Sequence, residues 1–330
     1  MTQLIQSDQD GVCRAAAILR SGGLVAMPTE TVYGLAGDAT NDRAVAAIYE
    51  AKGRPNFNPL IVHVAGVAQL EGLVQLSKSA KQLANAFWPG PLTLVLPLAE
   101  GAQVSPLVTA GLKTLAVRVP AHPAAQSLLH EFGGGLAAPS ANPSGRVSPV
   151  NAAHVMDGLG GRIDAVLDGG DCEIGLESTI VGFETAVGGQ RALLLREGGI
   201  TREALVDVLG DRQDLLTAPT SDEKSVQTIT APGQLASHYA PLGAVRINVK
   251  EPEPGETFVG FGAMACDLNL SKTGDLAEAA ANLFRHFHKL DAMGATRIAI
   301  APVPNSGLGR AINDRLRRAA APRNNDQGTR

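Results

Sequence analysis

Apolar and polar positions along the first two hundred residues recur in two different periods. Between 8 and 20, Val12, Ala16 and Leu19 fall on one face at helical spacing, and Gly22 with Gly23 supplies a stop, which predicts a helix. The unbroken apolar stretch 24–27 predicts a buried strand, and a second helix is expected over about 41–51, capped by Thr40 or Asn41. Further strands are expected at 60–64, 92–98, 115–119, 179–183 and 192–195. Helices are expected near 77–87, 123–132, 151–159 and 201–209. Strands alternating with helices are the pattern of an α/β domain.

The pattern stops at about 210. Residues 211–241 are rich in Asp, Ser, Thr and Pro and carry no sustained period. A stretch of that length without structure of its own reads as a functional or disordered linker. The expected organisation is therefore a first domain over 1–210, a linker over 211–242 and a small α/β unit over 243–321. Strands of the small unit are expected at 245–249, 258–262 and 297–301, with helices near 276–290 and 309–320. The polar tail 322–330 is expected to be disordered.

Composition narrows the class. With 45% hydrophobic and 18% charged residues over 330 positions, the chain is globular and large enough for one big domain or two ordinary ones. Aromatics reach only 4% against 37 Gly and 20 Pro, which implies tight turns and a core of aliphatic side chains. A formal charge of −4 gives no global attraction to nucleic acid, although it permits a local basic pocket. Cys13, Cys172 and Cys266 are far apart and suggest neither a zinc site nor a disulfide framework. The amino terminus has neither a basic nor an apolar signal region, and runs such as 92–98 are too short to span a bilayer. The expectation is a soluble, cytoplasmic protein.

Polar residues interrupt the pattern at the ends of strands. PTETVYGL (28–35) follows a buried strand directly, and the carboxyl ends of strands are where open α/β sheets place ligands. The alternative is a turn whose Thr hydroxyls bond locally. Lys52 and Arg54 flank Gly53 ahead of Pro55, which disfavours helical geometry at Arg54. An extended segment would put both cations on one face, where they suit a phosphate chain; a solvated helix end is the alternative.

Alternation places His63 with Ile61 on one face of its strand, and Arg118 opposite Leu115, Val117 and Val119 on its own. A buried Arg needs a partner, either a ligand carboxylate or a structural Asp or Glu. Ser140 and Asn142 lie in a Pro/Gly-rich loop, while GLESTI (175–180) and LLREGG (194–199) repeat the theme of hydroxyls and a cation beside strands. No Walker loop, GxGxxG, HExxH or GxSxG is present, which favours electrostatic binding of an anionic substrate.

Taken in order, PTETVYGL, Lys52 and Arg54 as KxR, and Ser140 with Asn142 as SxN resemble the threonylcarbamoyl-AMP synthase family in its long two-domain form. APGQLASHYAP (231–241) and GLGRAINDRLRRAA (307–320) extend the likeness over nearly the whole chain. The resemblance implies a twisted open α/β sheet domain with a cationic cavity, followed by a smaller Rossmann-like α/β domain. It also implies synthesis of threonylcarbamoyl-AMP and pyrophosphate from L-threonine, bicarbonate and ATP, the first step of a tRNA adenosine modification.

Thr31, His63, Arg118, Ala138 and Ser178 would then hold threonine. Lys52, Arg54, Asn58, Thr114, Ser140, Ser148, Arg196 and Tyr239 would hold ATP. Lys52, Arg54, Ser140 and Asn142 would form the catalytic set, with Asn142 as an orienter and Mg²⁺ carried by ATP rather than by a protein metal site. Gln234, Ser237, His238 and Tyr239 in the linker suggest a lid over the nucleotide. The expected partners are the two substrates, bicarbonate and downstream tRNA threonylcarbamoyl-transfer proteins, with tRNA met only indirectly and no membrane. Two alternatives are a non-catalytic RNA-binding or ribosome maturation factor, and a carbamoyltransferase-type maturation enzyme. Net charge and scarce aromatics weigh against the first, and missing zinc-finger or acylphosphatase-like segments against the second.

Overall fold

Asp8, read in the sequence as the first residue of a helix, is its cap, and its carboxylate accepts the Gly11 amide at 2.8 Å. Gly11 has to be a glycine, because a Cβ there would stand 1.8 Å from the Gln6 carbonyl oxygen. This local logic of cap, periodic face and glycine recurs through a computed structural model that describes residues 1–54, 58–186, 189–210, 215–217 and 239–322. Most of the predicted linker, including Gln234, Ser237 and His238, lies outside the described residues, as do 55–57 and the tail from 323.

The chain begins with β1 (Gln3–Gln6), α1 (Gln9–Arg20), β2 (Val25–Met27), β3 (Gly34–Asp38), α2 (Asp42–Lys52) and β4 (Ile61–His63). It continues with α3 (Lys78–Phe87), β5 (Leu92–Pro97), α4 (Pro106–Thr109), β6 (Thr114–Arg118), α5 (Pro123–Phe132) and β7 (Leu136–Ala137). Next come α6 (Ala152–Leu159), β8 (Ala165–Asp168), β9 (Thr179–Ala186), β10 (Gly189–Arg196), α7 (Arg202–Leu209) and β11 (Leu215–Thr217). Among the described residues these strands make one open, mixed sheet in the order β1-β8-β2-β3-β7-β4-β6-β5-β9-β10-β11.

At one end of this sheet α1 packs on α5 over β2, β7 and β8, and Val12, Leu19, Met27, Leu128, Leu136 and Leu167 form the core. Toward the other end, the same sheet carries a much smaller apolar cluster of Ile61, Val95, Ala116 and Ile180. The contrast matters, because polar residues surround the second cluster.

By compactness the chain divides into Met1–Ser144 with Ser148–Gln234, and Gly145–Val147 with Leu235–Arg330. The second unit holds β12 (Ala244–Arg246), β13 (Thr257–Gly260), β14 (Leu268–Asn269), α8 (Leu276–Ala292), β15 (Arg297–Ile300) and α9 (Gly309–Ala320). Its smaller sheet, β12-β15-β13-β14, is parallel throughout, as an α/β unit with helical crossovers requires. Among the described residues no helix is long and apolar enough to cross a membrane.

Candidate active site

Strand register assembles the site. β4 and β6 run parallel with His63 beside Arg118, so the two side chains project from the same face. β5 runs antiparallel to β6 with Leu94 against Val117, and one further step of that register sets Thr93 opposite Arg118. β9 lies parallel to β5, pairing Ile180 with Thr93. A register shift between Leu194 and Arg196 lets β10 pair Arg196 with Ile180, which turns this cation to the same side. The result is an apolar floor of Ile61, Val95, Ala116, Ile180 and Leu195, rimmed by His63, Arg118, Thr93, Ser178 and Arg196.

Arg118 ends β6 and is only 3% exposed. The sequence left its partner open between a ligand and a structural acid, and the structure supplies the acid. Nη2 donates to Glu30 Oε1 at 2.5 Å, Nη1 to Thr31 Oγ1 at 2.9 Å and Nε to the Gly90 carbonyl at 3.2 Å. A guanidinium has five N–H groups, so two remain among the described contacts, one on each Nη. Burial pushes the Glu30 carboxyl up, but the Arg118 charge and hydrogen bond more than offset it and hold the acid below its ordinary range. Glu30 Oε2 also takes the Ala121 amide at 3.0 Å, so the carboxylate is fixed at both oxygens.

Thr31 is fully buried and shares a hydrogen bond with the Thr29 hydroxyl at 2.8 Å. His63 is 3% exposed, and its Nδ1 has no hydrogen-bond partner among the described residues. Burial, helped by the Arg118 charge, pushes His63 down to about 3, so the ring is neutral at ordinary pH. Ala138 spends its amide on the Ile61 carbonyl at 2.9 Å, leaving its own carbonyl as the group it offers. Ser178 lies 2.7 Å from the Thr93 hydroxyl, and Arg196 donates to the Ser178 carbonyl from Nε at 3.1 Å and Nη2 at 2.9 Å.

Lys52 corrects the sequence reading. The segment after α2 is not extended: Gly53 adopts a left-handed conformation (φ 58°), and its amide and that of Arg54 return to the last turn of the helix. Lys52 and Arg54 therefore do not share the face that an i, i+2 spacing in extended backbone predicts. Lys52 turns inward, 4% exposed, and Nζ donates to the carbonyls of Ser140 at 2.5 Å and Asn142 at 2.6 Å. Burial first, then the Arg54 charge, pushes its pKa down to about 7. Arg54 is half-buried and its guanidinium sits 5.7 Å from the Tyr49 ring centre.

The other expected nucleotide ligands are spread more widely. Asn58 is buried and its carbonyl accepts the Tyr49 hydroxyl at 2.7 Å. Thr114 begins β6 on the Arg118 face, about 13 Å along the strand from it at ~3.3 Å per residue. Ser148 donates to Glu177 Oε1 at 2.6 Å, and both residues are buried. Tyr239 belongs to the second unit, where its ring stacks on Phe284 at 5.6 Å and Arg315 lies 5.2 Å from its centre. Among the described residues no group of three or more His, Cys, Asp or Glu is placed to hold a metal ion.

Sequence reasoning passed over three residues: Glu30, Thr93 and Glu177. The signal for Thr93 was its lone hydroxyl inside the apolar run LTLVL; for the two acids it was their place inside PTET and GLEST.

A family profile described as Telomere recombination matches residues 17–198, and one for the C-terminal domain of threonylcarbamoyl-AMP synthase matches residues 200–321. A threonylcarbamoyl-AMP synthase of Bacillus subtilis is 40% identical over 343 aligned positions, covering 98% of this chain and 96% of the relative. Pyrococcus abyssi Sua5, solved in complex with L-threonine, superposes with a TM-score of 0.86 at 39% identity, with 97% of each chain covered. Escherichia coli YciO shares the fold over 60% of this chain, with a TM-score of 0.54 at 21% identity.

Proposed function

The chain belongs to the threonylcarbamoyl-AMP synthase family, and from that premise we propose that it condenses L-threonine, bicarbonate and ATP into threonylcarbamoyl-AMP and pyrophosphate. The observation that carries the threonine half is Arg118. Glu30, Thr31 and Gly90 fix its guanidinium at the end of β6, and one N–H on each Nη is left for a carboxylate. Neutral His63, Thr31 and Ser178 beside it read the rest of the amino acid, over a floor that is apolar. The complex of the Pyrococcus relative with L-threonine supports the same reading.

In the reaction the threonine amine attacks the bicarbonate carbon and water leaves, giving N-carboxythreonine. An oxygen of the new carboxylate then attacks the α-phosphorus of ATP, and pyrophosphate departs with the electron pair of the broken P–O bond. No covalent enzyme intermediate is needed, so the protein contributes position and charge. ATP enters as its Mg²⁺ complex, and the metal neutralises phosphate charge. Lys52, through its remaining N–H, and Arg54 serve the phosphates; Thr114, Asn58, Ser148 and Arg196 lie along the nucleotide. Tyr239 and the linker before it act as the lid.

The product is an activated carbamoyl donor for tRNA threonylcarbamoyl-transfer proteins, and in this reading the enzyme works in the cytoplasm beside ATP, free threonine and tRNA. Pyrophosphate release from ATP, measured without RNA, should depend on both threonine and bicarbonate. Release that ignores either substrate, or that requires RNA, would reject this reading in favour of an RNA-binding role.

A further inference from the structure

The hydroxyls of Thr93 and Ser178 form a pair 2.7 Å apart, with both residues at or below 1% exposure. Each carries one proton. Within the pair one proton is donated and the other still needs an acceptor. Among the described residues neither hydroxyl has one: the other contact to Ser178 Oγ comes from Arg196 Nη2 at 3.1 Å, which is itself a donor. A buried donor without an acceptor is costly to keep, so the pair holds a surplus proton intended for something else.

Its neighbours indicate what. Thr93 stands across from Arg118 in the β5–β6 register, with Cβ atoms of such pairs about 5 Å apart. Arg118 has two N–H groups left. The hydroxyl pair and the guanidinium therefore stand on one face of the sheet, the face that also carries Val95 and Ala116. A group that only accepts fits there. A substrate hydroxyl would bring another proton in need of an acceptor, whereas a carboxylate brings none.

We propose that Thr93 is a substrate-binding residue, and that the Thr93–Ser178 pair delivers its surplus proton to the threonine carboxylate held by Arg118. The proposal rests on the reading of this face as the threonine site. It assigns to β5, a strand without expected ligands, a direct part in amino-acid capture.

Thr93→Val in the full chain keeps the branched shape and removes the hydroxyl. Titration calorimetry should show the Kd for L-threonine rising roughly ten- to a hundredfold, the effect of losing one hydrogen bond to a charged acceptor. The Kd for ATP should stay within about twofold, and Thr93→Ser should restore most of the threonine affinity. L-2-Aminobutyrate, which keeps the carboxylate but lacks the β-hydroxyl, should lose the same factor in Thr93→Val. Should that variant not fold, Thr93→Ala has to show the same split between threonine and ATP. Unchanged threonine affinity, a loss shared equally with ATP, or a loss confined to ligands bearing the β-hydroxyl would each overturn the proposal. Failure of the unmodified protein to bind threonine is a separate outcome, seen before any variant is made, and it removes the threonine reading itself.

Discussion

Arg118 and Arg315 are buried to nearly the same degree, 3% and 0% exposed, and each is hydrogen-bonded to a carboxylate. Their surroundings differ in kind. Arg315 sits inside α9, takes its acid from the adjacent Asp314 at 2.8 Å and lies against the Tyr239 ring. Asp314 has a second cation as well, since Arg318 Nε reaches both of its oxygens at 3.1 Å. Arg118 ends a strand, and its acid comes from a loop 88 positions earlier. Among the described residues Glu30 has no other cation within ion-pairing distance. Burial with an ion pair is therefore common to both arginines. What separates them is place: Arg118 ends a strand of the larger sheet, on the face that also carries His63 and Thr93, whereas Arg315 lies within a helix.

The sharpest way to break this contrast is Arg118→Ala. It strands a buried carboxylate and should cost about 3–5 kcal/mol of stability in denaturant melts. Threonine-dependent pyrophosphate release should fall by roughly 10³ or more, as loss of the charged contact adds to loss of order. Adding Glu30→Gln should return most of the stability and none of the turnover. If turnover returned too, Arg118 would be structural in the same sense as Arg315.

Gly198→Ala tests the site without touching a charge. Its Cβ would stand 2.4 Å from the backbone of Glu177, Ser178 and Thr179, so Ser178 must move. Overpacking of this kind costs about 1–3 kcal/mol, and threonine affinity should drop roughly ten- to a hundredfold. Unaltered affinity would mean that the position of Ser178 is unimportant for the amino acid.

His63 sharpens the electrostatic half. Its folded pKa of about 3 lies below the ordinary 6.5, so on acidification the unfolded chain takes up this proton first. The neutral ring's contribution is complete above about 6.5 and is lost as pH falls toward 3. His63→Asn should show a shallower loss of stability across that window, read from melts at stepped pH. Parallel curves for the two proteins would show that burial beside Arg118 does not depress this imidazole.

Arg315→Met should have the smallest effect. Arg318 still holds Asp314, so stability should change by about 1–2 kcal/mol, mostly from the lost contact over Tyr239. The threonine KM should stay within about twofold; a larger rise would tie the second unit to amino-acid binding.

Much of the fold was legible because long periodic segments announce themselves. The helix expected over 8–20 is α1 (Gln9–Arg20), and the strand expected over 92–98 is β5 (Leu92–Pro97). Strands β1, β3, β7, β8, β11 and β14 are not legible in the sequence: all are two to five residues long, β11 lies within the stretch read as a linker without structure of its own, and GLAGD has no alternation to read. The candidate residues were legible as types of group, whereas their partners were not. Nothing local indicates that Arg118 meets Glu30, or that Thr93 meets Ser178 across 85 positions. The Lys52 segment failed for a different reason. Pro55 disfavours helical geometry at Arg54, but the left-handed Gly53 already ends the helix, with Lys52 turned inward on its last turn.

That inward turn changes the thermodynamics of ligand capture. Lys52 ties the Ser140 and Asn142 carbonyls to the end of α2, and the Ser144 amide returns to the Lys52 carbonyl at 2.8 Å. The chain's own hydrogen bonds thus order the Ser140–Ser144 loop. A ligand meeting it gives up little additional chain entropy, because folding has already removed that freedom. Binding to this loop should therefore be limited by encounter and desolvation rather than by rearrangement of the loop, which makes Lys52 a determinant of association rate as well as of charge.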